Sequence, residues 1–335
     1  MKAEESRVLK FRNRPPGQLT GPETAARAGV EYEKARRIWR ALGLPEVDED
    51  ALEFDDSDVQ ALRAVVQIAE NGIDPNDLTR TARPYGKALS AVADAEARLF
   101  ARNIIEPLTE EGVETGEIAG RVEPLVEWLL DTTADLLDYV HRRHLRLAVD
   151  GLSLATEGRV TEELAVGFVD LVGFSRLSEY IMSDELGEIV DTFEEIAIST
   201  AAESGVRVVK VIGDAVMLVA RDPERLVRGA ASIVEAVGAN RNLPKARAGA
   251  DFGELIALSG DYFGRAVNVA ARATGFAKAR TLVVSEELLE RLESEDRRAS
   301  QVGVKRLKGV GRVSLFKLNP AEWASTTESE AAKGP

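Results

Sequence analysis

Two runs of β-branched residues, joined by a Gly-Asp step, constrain the second half of this chain more than any other feature. The runs flank Gly213 and Asp214 and together span residues 208–220. Glycine followed by aspartate suits a tight hairpin turn, so the segment predicts two antiparallel strands. Such a turn would hold the Asp214 carboxylate at the edge of a sheet, with Lys210 on the strand that precedes it.

Further polar residues occur close to other predicted strands. Asp170 lies in a second β-rich run, and Asp261 lies in a Gly-Asp-Tyr-Phe-Gly loop that leads into a segment carrying Asn268 and Arg272. Each residue alone has an ordinary explanation, because aspartate is common in turns and Asn and Arg are common on a solvated helix face. They indicate a site only in combination.

The hydrophobic period divides the chain at about residue 150, because it is helical (roughly 3.6) before this point and strand-like (roughly 2) after it. The first part predicts a flexible arm over residues 1–20 and an all-helical domain over residues 21–150. The predicted helices of this domain are 20–28, 33–42, 55–72, 84–105, 108–122 and 123–148. The last helix connects to the second half, and its wide apolar face favours packing on a partner surface.

The second part predicts an α+β domain over residues 151–320 and a disordered tail over residues 321–335. Its expected order is β-α-β-β-α-β with further strands at the end, which is typical of a ferredoxin-like core. The first long helix, 175–204, is expected to break near residues 182–184.

Composition narrows the possible chemistry. The formal net charge of −14 argues against a general affinity for nucleic-acid backbones or anionic membranes. With no cysteine and only two histidines, disulfides and thiolate metal sites are excluded and a zinc site is not expected. A hard cation held by carboxylates is still possible. No apolar run reaches the roughly 20 residues that span a bilayer, and no signal peptide is seen, so we expect a cytoplasmic protein.

Two features of the helical domain have alternative interpretations. His141 and His144 lie three residues apart on one helix face, either as two surface imidazoles or as a pH-sensitive joint that gains charge as the pH falls below neutral. Residues 19–45 resemble the helix-turn-helix of MerR-like regulators, which would bind DNA, or they form a helical pair used only for packing. Residues 21–69 contain eleven acidic and six basic residues, and this balance disfavours DNA binding despite a small cationic face formed by Arg36, Arg37 and Arg40.

Five segments of the second half resemble, in the correct order, the class III nucleotide cyclase catalytic domain. They are residues 168–175, 209–217, 260–264, 267–272 and 307–310. No segment is specific alone, but in this order they extend the resemblance over about residues 161–318, which is nearly the whole second half. The first half more loosely resembles the helical regulatory part of some actinobacterial cyclases. The resemblance implies an adenylate cyclase regulated by its N-terminal domain, through protons or an apolar ligand.

The resemblance assigns a metal and phosphate role to one set of residues. Asp170 and Asp214 would hold two Mg²⁺ or Mn²⁺ ions, and Leu171 would lend a backbone carbonyl. The triphosphate would be bound by the backbone of one turn and by a lysine at the last hairpin: Gly173, Phe174, Ser175 and Lys308. Serine at position 175 keeps the hydroxyl of the threonine usual in the family.

A second set would recognise and orient ATP. Lys210 and Asp261 are similar to the adenine-reading pair, with lysine donating to N1 and aspartate accepting from the 6-amino group, which favours adenine over guanine. Asn268 would orient the ribose, and Arg272 would meet the α-phosphate. In this family the metal carboxylates and the second set come from different subunits. Since this chain carries both, the resemblance implies a head-to-tail homodimer. A catalytically silent nucleotide-binding sensor on the same fold and a DNA-binding regulator are the alternatives.

Overall fold

The structure, a computed structural model, describes residues 17–150, 161–258, 260–293 and 298–324. The chain divides into two compact units, Met1–Thr156 and Glu157–Pro335. Within the described ranges, no helix is both long and apolar enough to cross a membrane.

The first unit is helical. Its helices are α1 (Gly21–Ala28), α2 (Tyr32–Ala41), α3 (Asp56–Glu70), α4 (Pro75–Phe100), α5 (Glu106–Glu110) and α6 (Thr115–Asp150), with a π-helical turn at Ala101–Ile105. The predicted break after α1 is confirmed, because Gly29 ends the helix with a left-handed φ of 74°. The predicted cap of α3 is confirmed as well, since the Asp55 side chain accepts from the Ser57 N–H.

Two predicted helix boundaries were wrong, and in each case a proline lies inside the observed helix. The helix expected at residue 84 begins at Pro75, capped by Asp74, and Pro84 lies inside it. The two helices expected over 108–122 and 123–148 are instead the end of α5 and one helix, α6, with Pro124 in its interior. A proline removes one N–H donor, but apolar spacing that continues on both sides outweighs this local loss.

The ends of the described chain are more ordered than predicted. The N–H groups of Gln18 and Leu19 donate to the Phe54 carbonyl at N···O distances of 2.9 and 3.0 Å, so the predicted flexible arm does not extend to residues 17–20. A short helix, α12 (Pro320–Ala324), buries Trp323 where a disordered tail was expected. The remainder of the predicted arm, 1–16, and of the tail, 325–335, lies outside the described residues.

The second unit is built on one eight-stranded sheet. Its strands are β1 (Thr161–Leu171), β2 (Arg207–Ile212), β3 (Ala215–Ala220), β4 (Ala246–Leu258), β5 (Asp261–Phe263), β6 (Leu282–Ser285), β7 (Ser300–Leu307) and β8 (Gly311–Leu318). Its helices are α7 (Phe174–Leu177), α8 (Ser183–Glu203), α9 (Pro223–Ala239), α10 (Arg265–Phe276) and α11 (Glu286–Leu289), besides α12. The break expected near residues 182–184 is therefore confirmed.

The sheet order is β2-β3-β1-β4-β6-β8-β7, with β5 paired to β4. The first four strands have the ferredoxin-like arrangement, because each βαβ crossover passes over one antiparallel strand. The predicted α+β class is confirmed. Apolar residues on one face of β1, such as Val169, pack with α8 and α9. The opposite face, with Phe168, packs with α10, and we call it the α10 face.

Candidate active site

Two carboxylates lie side by side where β1 meets the β2–β3 turn. Asp170 is the penultimate residue of β1 and pairs in register with Ala215, the residue that follows Asp214. The Leu171 N–H donates to the Asp214 carbonyl at an N···O distance of 3.0 Å, which fixes the turn against β1. The side chain of Asp170 points to the α10 face, since it alternates with Val169 and follows Phe168 by two residues.

An arginine that the sequence analysis did not single out completes this group. Arg247 lies directly opposite Asp170 in the β1–β4 register. Its Nε and Nη2 atoms both contact the Asp170 Oδ2 atom, at 2.8 and 2.7 Å. The only available sequence signal was a single charged residue in the small-residue run 246–250, and that signal gives no strand register.

The pKa of the Asp214 carboxyl is perturbed by its surroundings. Burial raises the pKa of the Asp214 carboxyl above its usual value, and the charge of Asp170 raises it further, while Arg247 acts in the opposite direction. A divalent cation would relieve the same repulsion. Within the described ranges, no three His, Cys, Asp or Glu side chains are grouped to hold a metal by themselves. Two carboxylates do suit Mg²⁺, which is bound by one or two carboxylates together with water and substrate phosphates.

Lys210 and Asp261 form an ion pair although they are 51 residues apart in the sequence. The β4–β5 hairpin brings them together, because Asp261 pairs with Leu258 at the end of β4 and β5 contacts β2. The other Asp261 oxygen, Oδ1, accepts from the Tyr262 N–H at 2.8 Å. Both side chains of the pair are about one-third exposed, at 34% and 28%, so a ligand can reach them.

Asn268 and Arg272 lie one turn apart on the exposed side of α10. The Asn268 Nδ2 donates to the Gly264 carbonyl at 3.2 Å. The buried side of α10 packs closely on β4, where a Cβ atom on Gly249 would lie 2.2 Å from the Thr274 backbone nitrogen. The height of these two polar groups above the sheet is therefore set by glycine in the strand beneath them.

The predicted phosphate-binding residues occupy two separate places. Gly173 has a left-handed φ of 80° and joins β1 to α7, so this turn follows Asp170 closely. Ser175 is exposed, whereas Phe174 packs against the core and can offer only its backbone. Lys308 lies in the β7–β8 turn, at the far edge of the sheet and at the opposite strand ends from Asp170. One chain alone therefore does not bring Lys308 to the carboxylates.

A buried carboxyl under α10 was also missed. Asp251 on β4 is fully buried, and it accepts a hydrogen bond from the Ser285 hydroxyl. Burial raises the pKa of this carboxyl, against the lowering effect of Ser285. Sequence reasoning could not find it, because an aspartate in a strand is expected to face solvent.

The candidate residues of the first unit are held in simple surface contacts. The Nε2 atom of His141 lies 3.3 Å from the Tyr85 hydroxyl, which joins α6 to α4, and His144 is exposed. In the helix-turn-helix-like segment, Arg36 and Arg40 both form ion pairs with Glu46. This neutralises much of the small cationic face and further disfavours DNA binding.

Comparisons with known proteins agree with both halves of this description. Residues 17–149 match the family model described as the adenylate cyclase regulatory domain. An adenylate cyclase of Streptomyces coelicolor is 35% identical over 275 residues, which are 81% of this chain and 71% of the relative. A pH-sensitive adenylate cyclase of Mycobacterium tuberculosis is 33% identical over 311 residues, 90% of this chain and 78% of the relative.

Solved structures give a coarser likeness. A bacterial light-regulated adenylyl cyclase aligns with a TM-score of 0.48 and 20% identity, over 60% of this chain and 65% of its own. The adenylyl cyclase CyaB from P. aeruginosa aligns with a TM-score of 0.41 and 21% identity, over 48% of this chain and 95% of its own. The sequence relatives decide the assignment: this chain is an enzyme that belongs to the class III adenylate cyclases of the actinobacterial type.

Proposed function

We propose that two copies of this chain form a head-to-tail dimer and cyclise ATP at two equivalent sites between them. One copy supplies Asp170 and Asp214 to each site. The other copy supplies the Lys210–Asp261 pair and the α10 side chains Asn268 and Arg272. Mg²⁺ or Mn²⁺ is the proposed cofactor, with two ions in each site.

The observation that carries this proposal is the grouping of the polar residues on the α10 face. Asp170 forms an ion pair with Arg247 and lies beside Asp214, whereas Lys210 forms an ion pair with Asp261. The chain thus carries two sets of polar residues, the metal-binding carboxylates and the base-recognition pair, and each set has its own ion-pair partner. A second copy turned by 180° would bring each group opposite the other, as a two-fold axis requires.

Exposed apolar side chains on the same elements support a protein-covered surface. Ile212 beside the β2–β3 turn is 51% exposed, Phe263 on β5 is 49% exposed and Phe276 at the end of α10 is 42% exposed. Ile256 and Leu258 on β4, the strand that pairs with β5, are also about half exposed. Large apolar side chains gathered around polar functional groups are typical of an interface.

The proposed reaction follows from these residue types. The ribose 3′-oxygen attacks the α-phosphorus and its proton passes to solvent water, while the bond from the α-phosphorus to the bridging oxygen breaks and pyrophosphate leaves. Arg272 donates to the α-phosphate as negative charge develops there, and Asn268 holds the ribose for in-line attack. Lys210 and Asp261 exchange their mutual bond for bonds to adenine N1 and the 6-amino group. Divalent cations held by Asp170 and Asp214 would lower the pKa of the attacking 3′-hydroxyl and neutralise negative charge on the triphosphate.

The shared site is tested by mixing two inactive variants, Asp214→Asn and Arg272→Ala. In a mixed dimer one interface carries both defects and the other carries none. Equal mixing with free exchange should therefore restore about one quarter of the wild-type rate of cyclic AMP formation, since half of the dimers are mixed and each has one intact site. Each variant alone should be nearly silent. If mixing two folded, exchanging variants restores nothing, the sites are not shared in this way.

We also propose that the first unit regulates the second, with His141 as one point of control. The contact of its Nε2 with the Tyr85 hydroxyl joins α4 to α6, and Asp138 and Arg142 are its charged neighbours on α6. Protonation would remove the acceptor lone pair of the ring and change this joint. The double variant His141→Ala, His144→Ala should flatten the activity profile between about pH 5.5 and 8. An unchanged profile would exclude the histidines and leave an apolar ligand as the candidate signal.

A further inference from the structure

The Asp170–Arg247 ion pair uses only one oxygen of the carboxylate. Both contacting nitrogens of Arg247 lie on Oδ2, at 2.8 and 2.7 Å. The Asp170 side chain also interacts with that of Asp214. The guanidinium therefore covers Oδ2 of a carboxylate that is proposed to hold the cations.

The strand register places Asp170 and Arg247 directly opposite each other, so their contact is fixed by the fold of the sheet. Asp170 and Arg247 face each other on adjacent strands that pair continuously from Thr161–Ile256 to Leu171–Ala246. The side chains are 19% and 28% exposed, so the pair is only partly screened by water. Among the described residues Asp170 is the carboxylate that Arg247 contacts directly, and the charge of Arg247 also acts on the neighbouring Asp214.

Arg247 would compete electrostatically with the cations of the proposed function. Asp170 would help to hold those cations, and Arg247 already contacts its Oδ2 atom. A guanidinium and a divalent cation at one carboxylate repel each other, so each weakens the binding of the other. Arg247 should therefore oppose full cation loading as long as it stays on Oδ2.

We propose that Arg247 is a built-in counter-ion that takes the place of the second divalent cation in the nucleotide-free protein. This inference rests on the proposed function. It implies that Arg247 weakens cation binding before ATP is present, and that the complete two-cation site forms when the nucleotide brings its own phosphate ligands. Arg247 is thereby a positioning residue that couples cation loading to substrate binding.

The test is a Mn²⁺ titration of the full-length, nucleotide-free protein, with free Mn²⁺ measured by electron paramagnetic resonance. Arg247→Gln should bind Mn²⁺ roughly tenfold more tightly than the wild type, because it removes a positive charge in contact with the site. Adding Asp170→Asn to this variant should abolish the gain. Equal or weaker binding by Arg247→Gln would overturn the proposal, since a residue that merely orients Asp170 should lose affinity when removed.

A matched control removes the same charge from an ion pair at the opposite end of β1. Arg221 pairs with Glu162 at an Nη2–Oε2 distance of 3.0 Å. Glu162 lies eight residues from Asp170, roughly 26 Å along the strand and well beyond the Debye length at physiological salt. Arg221→Gln should therefore leave Mn²⁺ binding unchanged. A tenfold gain in this control as well would attribute the effect to net charge and overturn the proposal.

Misfolding of the variant and failure of the proposed function can both be distinguished from failure of this proposal. If Arg247→Gln does not fold, Arg247→Met provides the test, because it keeps a long side chain but removes the charge. Its Mn²⁺ affinity should rise by a similar factor of roughly ten; no rise in a folded Met variant would overturn the proposal. Since Mn²⁺ binding needs no turnover, a wild-type chain that fails to cyclise ATP would reject the proposed function without deciding this titration.

Discussion

The packing of α10 on β4 gives the sharpest prediction about how this fold positions its polar groups. A methyl group on Gly249 would lie 2.2 Å from the Thr274 backbone nitrogen and 2.7 Å from the Ala270 backbone oxygen. Both neighbours are backbone atoms of α10, so no side-chain rotation can relieve the contact. The helix must move outward by roughly 1 Å, and a displacement of that size can reduce a rate by about 100-fold. Overpacking of this kind also costs about 1–3 kcal/mol of stability.

The matched control is Gly253→Ala, on the same strand and beneath the same helix. Its added methyl group would lie 3.3 Å from the Ala266 Cβ, and neither glycine has a left-handed φ. We expect Gly249→Ala to lower kcat for cyclic AMP formation about 100-fold while the control retains most of its activity. Thermal unfolding of both variants shows whether the protein is folded at the assay temperature. Equal, near-wild-type kcat values for two folded variants would refute the argument that β4 sets the position of Asn268 and Arg272.

Three other predictions follow from individual residues. The raised pKa of Asp251 favours its protonated form in the folded state, so the free energy of unfolding of the wild type should fall as the pH rises through that pKa. Asp251→Asn should lack this pH dependence in urea titrations. If the wild type and the variant differ in stability by a constant amount between about pH 4 and 8, the prediction is contradicted. Asp261→Asn should relax the preference for ATP over GTP by about 1–3 kcal/mol in relative kcat/KM, since an amide can both donate and accept; an unchanged ratio would remove Asp261 from base recognition. Gly187→Ala, in the interior of α8 with no atom within 4 Å of the added methyl group, should stabilise the protein by about 0.5–1 kcal/mol in thermal unfolding, and a lower Tm would show that the space is not free.

Local sequence signals predicted the elements of the second unit well. The Gly213-Asp214 step formed the expected hairpin turn, and the strand period predicted β1 and β4. These features depend on residues that are close together in the sequence, which is why pattern reasoning finds them. The same reasoning placed Asp214 at the hairpin turn and Asp170 within another strand, and the structure brings the two carboxylates together.

Interactions between distant residues could not be predicted in this way. The pairing of Asp170 with Arg247 depends on a strand register across 77 residues, and a shift by one residue would send the arginine to the other face. The burial of Asp251 likewise depends on α10 covering β4. In the first unit, the helix boundaries predicted at residue 84 and at residues 122–123 were wrong, because the helices continue through Pro84 and Pro124.

The most direct test of the central claim is the conversion of ATP to cyclic AMP by the full-length protein with Mn²⁺, compared with Asp214→Asn. The account predicts cyclic AMP from the wild type and a loss of at least about 100-fold in the variant, because one of the two cation-holding carboxylates is gone. The variant should be at least as stable to heat as the wild type, since burial and the charge of Asp170 disfavour a carboxylate at this position. A folded wild-type dimer that forms no cyclic AMP, or an Asp214→Asn variant that forms it at the wild-type rate, would contradict the account.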